Sequence, residues 1–148
     1  MILLIQRVSR ASVRVLGETV GEIGKGLLVF GCVEPDDTEE TVDQAARKTA
    51  ELRIFEDANG KMNLSALDAG GAVLAVSQFT LGADLSRGRR PGFEGAARPE
   101  MAEPLFRRYV AGLRAQGLAV STGTFGAVME VELVNDGPAT FHWRTPRR

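Results

Sequence analysis

One stretch limits this chain more than any other: Gly71-Gly-Ala-Val-Leu-Ala-Val-Ser-Gln-Phe-Thr-Leu81. Ala72 to Val76 is an unbroken run of small and branched apolar residues, with glycines before it and Gly82 after Leu81. A short apolar run bounded by turn signals reads as a central strand buried on both faces. The strand then changes character, placing Ser77, Gln78 and Thr80 around Phe79. Packing gives no reason for three hydrogen-bonding side chains at one end, because buried polar groups cost free energy unless paired. Either the strand end opens into a pocket with its polar groups facing a ligand, or it fades into a solvated loop. The stretch alone leaves both open.

The rest of the 148 residues reads as a single domain, 1–148, long enough to bury a core. Ile2–Val8, Ser12–Leu16, Thr19–Ile23 and Leu27–Val33 are β-rich and separated by turn signals, which predicts an antiparallel meander. Pro35-Asp-Asp37 then opens a helix, capped by Asp37 with Glu40 as a capping box, or by Thr38. Val42, Ala45, Ala46, Thr49 and Leu52 give it one packing face. A turn at Asn59-Gly60 comes next. A second helix is predicted over Pro99–Gln116, with Pro104 in its first turn and Gly117 ending it. Leu118–Thr122 and Thr124–Val134 read as closing strands. Strands gathered around two helices without regular βαβ alternation predict an α+β fold.

Composition removes several function classes. The net charge of −1 announces no polyanion partner, so any RNA contact must rest on local basic surface. Cys32 is the single cysteine, which rules out an internal disulfide and suits a reducing compartment. The apolar start, Met1 to Ile5, meets Gln6 and Arg7 at once, too short for a signal segment or membrane span. The expectation is a cytoplasmic protein without membrane contact. No His/Cys/carboxylate cluster has metal-ligand spacing, so no metal or other cofactor is expected. Arg87, Arg89 and Arg90, with Phe93 nearby, form a loop suited either to phosphates and bases or simply to solvent. Arg7 lies in the apolar-rich first strand, where by itself it reads as an edge or surface arginine.

A second segment, Asn135-Asp-Gly-Pro-Ala-Thr-Phe141, decides how these features are read together. The pair Ser77-Gln-Phe-Thr-Leu81 and Asn135-x-Gly137-Pro138-x-Thr140 resembles the D-aminoacyl-tRNA deacylase family. The resemblance continues through Ile5–Val13, Gly60–Leu64 and Arg87–Pro91, over essentially the whole chain. It implies an α+β homodimer with an antiparallel, sheet-rich, barrel-like core and two main helices packed outside. It also implies hydrolysis of the ester of D-aminoacyl-tRNA, and of glycine mischarged to tRNA.

In that family scheme Gln78, Phe79 and Thr80, next to Ser77, sit at the reaction centre, and the terminal ribose 2′-OH assists attack. Backbone N–H groups near Phe79 and Thr80 would orient that hydroxyl and stabilise the oxyanion. Gly137-Pro138 would be a cis peptide reaching a partner chain's site, walling out L side chains, with Asn135 and Thr140 beside it and Arg7 holding it. Base rates alone favour a trans bond, cis being about 5–6% of X-Pro bonds. Arg87, Arg89 and Arg90 would contact the tRNA. Ala139 stands where the family often has a larger β-branched residue, and the basic tail 142–148 departs from its compact ending.

The residues themselves offer Thr80, Ser77 and Cys32 as nucleophiles, but the single histidine, His142, lies outside both motifs. A Ser-His-Asp or Cys-His arrangement is therefore disfavoured. Two rival readings remain at this level: a non-catalytic RNA-binding module using the Arg87–Arg90 loop, and a small-molecule esterase with Thr80 as nucleophile.

Overall fold

A computed structural model describes residues 1–146. Its first strand, β1 (Ile2–Val15), is uninterrupted, where the sequence suggested a break at Ser9-Arg-Ala11. The chain reverses at Leu16-Gly17 and runs back as β2 (Glu18–Ile23) and β3 (Gly26–Cys32). The pairing from Ile2↔Cys32 to Val13↔Gly21 keeps one register through both. Gly24-Lys25 therefore interrupts a strand and does not reverse the chain. The expected meander is instead one long hairpin.

Two crossovers come next. Helix α1 (Glu39–Glu51) and the small hairpin β4 (Phe55–Glu56) and β5 (Met62–Leu64) lead to β6 (Ala72–Ser77). A 3₁₀ turn over Phe79–Gly82 and helix α2 (Pro99–Ala115) lead to β7 (Val120–Thr122). Strand β6 pairs parallel with both β3 and β7. The sheet is thus mixed, which corrects the antiparallel expectation and the absence of βαβ units. Long helical connections return the chain to the same end of the sheet, and that geometry forces parallel neighbours.

The last strand, β8 (Glu130–Arg144), covers the remaining edge of β1. It is far longer than the predicted strand ending at Val134, and it absorbs both the second motif and the start of the basic tail, His142 to Arg144. Its partners on β1 run from Arg14 opposite Glu130 to Ile2 opposite Arg144. Arg144 then pairs with Glu34, and Thr145 donates its N–H to the Met1 carbonyl (2.9 Å). Burial pushes the Glu34 carboxyl up, but Arg144 and the Met1 ammonium outweigh it and hold it low. Residues 147 and 148 lie outside the described residues.

Barrel closure is nearly complete. Ser121 Oγ of β7 donates to the Glu22 carbonyl of β2 (3.2 Å), and Gly21 faces the Thr122 carbonyl. Inside, Val8, Val13, Leu28, Leu74 and Val76 form one apolar cluster. The larger core lies between the sheet and the two helices, where the Tyr109 hydroxyl meets Thr49 Oγ1 at 2.8 Å. The α+β class and two outer helices agree with the sequence reading. Details differ at the helix ends. Thr38 and Thr41 form the capping box of α1, because Asp37 accepts from the Glu34 N–H and the Met1 ammonium. Pro104 sits past the first turn of α2.

A Cβ at Gly21 would lie 2.4 Å from the Thr122 carbonyl oxygen. Gly21→Ala should therefore force the β2–β7 seam apart and cost about 1–3 kcal/mol, as overpacking does. A lower urea midpoint at unchanged m-value is the expected reading.

Candidate active site

The three parallel strands β3, β6 and β7 stop at the same end of the sheet. The residues at and just beyond those strand ends line one cavity of about 370 Å³: Cys32 and Val33, Ser77 to Phe79, and Phe125 with Gly126. Its far wall is the first half of α2, through Pro99, Ala102 and Phe106. The strand-end question is answered in favour of a pocket. Gln78 makes the last ladder-like bond, its N–H donating to the Gly31 carbonyl at 2.8 Å. The chain then tightens into the 3₁₀ turn, which lifts Phe79 to 58% exposure. Its ring packs edge-on against Phe93, with centroids 5.2 Å apart. Gln78 Nε2 donates to Thr80 Oγ1, and Thr80 is exposed rather than lining the cavity.

The second motif is an excursion from a strand. Val8 pairs with Asn135 and Gln6 with Thr140, so Arg7 alone on β1 faces four residues, Asp136 to Ala139, on β8. Those four leave the ladder, and Gly137-Pro138 among them is cis. Arg7 is buried at 4% exposure, not a surface arginine. Its Nε donates to the Asp136 carbonyl (3.0 Å) and its Nη1 to the Ile54 carbonyl (2.7 Å). The Asp136 carboxylate lies 3.1 Å from the same Nε. Asn135 Nδ2 ties the two ends together, donating to the carbonyls of Arg7 (2.9 Å) and Ala139 (3.2 Å). Gln6 Nε2 donates to Thr140 Oγ1 (3.1 Å), which donates to Asn135 Oδ1 (3.4 Å). Gln6, Asp136 and Ile54 escaped the sequence reading; only the position of Gln6 beside Arg7 hinted at a role.

The two motifs are not neighbours within one chain. Ser77 pairs with Gly31, Gly31 with Leu3 and Leu3 with Trp143. Three strand spacings, about 14 Å, therefore lie between β6 and β8 even at matched height, and Gly137 is six residues farther along β8. No residue from 135 to 140 lines the cavity. Arg87, Arg89 and Arg90 are exposed in a loop closed by the Asp84–Gly92 bridge, also outside the cavity wall.

Comparison with known proteins fits this geometry. The family model described as D-Tyr-tRNA(Tyr) deacylase matches residues 4–144. A protein from Symbiobacterium thermophilum named D-aminoacyl-tRNA deacylase is 63% identical, over 93% of this chain and 91% of its own. The protein of that name from Alteromonas mediterranea is 54% identical over 97% and 99%. A solved structure titled c-Myc DNA Unwinding Element Binding Protein superposes with a TM-score of 0.93 at 38% identity, covering 99% of this chain and 100% of its own. The chain belongs to the D-Tyr-tRNA(Tyr) deacylase family.

In this family member no nucleophile–base pair is assembled at the cavity among the described residues. His142 is exposed on β8, on the far side of β1 and β3 from Ser77. Cys32 Sγ lies 3.5 Å from the Phe79 carbonyl, and burial pushes its thiol up to about 11. It stays protonated near neutral pH and packs as a small apolar group. Ala139 is buried, so its small side chain trims the interior rather than an outward-facing wall.

Native Cys32 should resist alkylation at pH 8 and react on unfolding, as thiol labelling in and out of urea would reveal. Because its pKa is raised in the folded state, its linkage contribution is full below the ordinary thiol value near 9. That contribution is lost as pH climbs toward 11. Arg7→Ala should cost about 2–4 kcal/mol, since the Ile54 and Asp136 carbonyls lose their charged donor in a buried setting; chemical denaturation measures it.

Proposed function

We infer that this protein hydrolyses the ester bond of D-aminoacyl-tRNA, releasing free D-amino acid and tRNA, as a cytoplasmic enzyme of one domain, 1–148. Family membership across residues 4–144 carries this reading. The cavity at the parallel strand ends takes the terminal aminoacyl-adenosine, whose flat base suits its apolar and aromatic walls.

Catalysis is by positioning. The N–H groups of Phe79 and Thr80 open a 3₁₀ turn, where the helical ladder offers them no acceptor. They orient the ribose 2′-OH and stabilise the developing oxyanion, with Ser77 and Gln78 alongside. That no base is paired with Thr80 or Cys32 among the described residues supports an RNA-assisted route over a protein nucleophile. It also weakens the small-molecule esterase reading.

Gly137-Pro138 supplies the chiral filter in the site of a second copy. The separation of the two motifs within one chain supports a homodimer, because only a partner can bring the excursion to the cavity. A rigid wall of backbone rejects L side chains while D side chains point away and glycine passes, so selectivity comes from exclusion. Asn135, Thr140 and Arg7 hold that wall. Arg87, Arg89 and Arg90 meet the tRNA backbone.

Deacylation of D-tyrosyl-tRNA and L-tyrosyl-tRNA, each 3′-linked and with the terminal 2′-OH present or replaced by hydrogen, tests the reading. Rapid D-only hydrolysis that collapses without the 2′-OH is expected, with Thr80→Ala keeping most of the rate. D-only hydrolysis that survives would make Thr80 the nucleophile. Tight tRNA binding without hydrolysis would leave a binding module.

A further inference from the structure

The terminal adenosine of a tRNA is the end of a strand, and the nucleotides before it must leave the cavity by some route. Two clefts share walls with the cavity. One, toward Pro91, shares Phe93, Ala96, Ala97 and Arg98 with it, and its lining sets the two carboxylates of Glu94 and Glu100 against the single cation of Arg98. Its lining side chains sum to a negative charge and include no hydroxyl. The other, about 510 Å³, shares the rings of Phe106 and Phe125 with the cavity and runs along α2 beside β7. It offers Arg107, Arg114, Thr122 and Thr124 against a single carboxylate, Glu103, which Arg107 already pairs at 2.6 Å.

These residues have the reach a phosphodiester strand needs. Arg107 is 76% exposed, so its guanidinium is available to a second anion. Arg114 uses one Nη2–H on the Val120 carbonyl (3.0 Å), which fixes the side chain over the groove while its other N–H groups remain as donors. Helix geometry sets their spacing: residues seven apart lie on one face about 10.5 Å apart along the axis. That distance spans one to two phosphate intervals of an extended single strand. The threonine hydroxyls across the groove donate or accept, which suits phosphate oxygens and ribose hydroxyls alike.

We propose that the groove between α2 and β7 holds the single-stranded RNA immediately upstream of the aminoacylated adenosine, with Arg107 and Arg114 on its phosphates. The proposal rests on the deacylase reading and adds the path of the substrate strand. It also divides the basic residues into two sets. Arg107 and Arg114 guide the 3′ strand, and the Arg87–Arg90 loop on the other side of the cavity meets a different part of the tRNA.

The test compares two substrates: D-tyrosyl-tRNA, and the D-tyrosyl ester of free adenosine, which has the same ribose and base but no upstream phosphate. Arg107→Gln, Arg114→Gln and the double variant are assayed on both, over a range of salt. On tRNA, kcat/KM should fall about three- to tenfold per arginine at low salt, and the slope against log salt should shallow by about 0.7 for each arginine replaced. The adenosine ester should be turned over at the wild-type rate, and kcat at saturating tRNA should hold. Unchanged tRNA kinetics in the double variant would overturn the proposal, as would an equal loss on both substrates. Arg107→Gln, altering an exposed side chain, serves where Arg114→Gln loosens β7. Wild-type protein inert toward both esters would sink the deacylase reading itself, a result distinct from either of these.

Discussion

A buried guanidinium organises this molecule. Arg7 sits in the middle of β1 and is buried, where an arginine is stable only if its charge and donors are met. The Ile54 carbonyl and the backbone and carboxylate of Asp136 meet them. The dependence runs both ways. The same contacts pin the segment before β4 and the excursion of β8 to the central strand, so one side chain joins three parts of the chain distant in sequence. Asn135 completes the frame by holding the Arg7 and Ala139 carbonyls, leaving the excursion few internal degrees of freedom.

The cavity has a different origin. Two helical crossovers bring β6 and β7 parallel to β3, and the chain emerges from all three strands at one end. That convergence gathers Cys32, Ser77–Phe79 and Phe125 from three separate parts of the sequence under α2. The pocket is largely apolar, with Ser77 and Gln78 in its lining, and its thiol is held protonated by burial. Such a site orients a bound group better than it attacks one. In the proposed scheme the attacking or assisting hydroxyl belongs to the RNA, and the protein contributes fixed N–H groups and walls.

The ends of the chain close the same frame. β8 runs beside β1 along its length, and the Met1 ammonium, Glu34, Asp37 and Arg144 form a compact ionic cluster where β1 begins and β8 finishes. The tail that looked anomalous in sequence is thus, as far as residue 146, a strand end followed by a hydrogen-bonded Thr145.

By itself the sequence determined the strand at Ala72–Val76, the two amphipathic helices, the α+β class and both motifs, because each is written in local periodicity or in contiguous residues. It also carried the family. Three things escaped it. The parallel pairing of β6 depends on where crossovers deliver the chain, which no local pattern encodes. The unity of β2 and β3 depends on their sharing one partner strand across a glycine-marked interruption. The burial of Arg7 and the four-residue excursion opposite it depend on a register between residues more than a hundred positions apart. Tertiary structure decided these, since long-range pairing sets which backbone groups need a charged donor and which strand ends share a pocket.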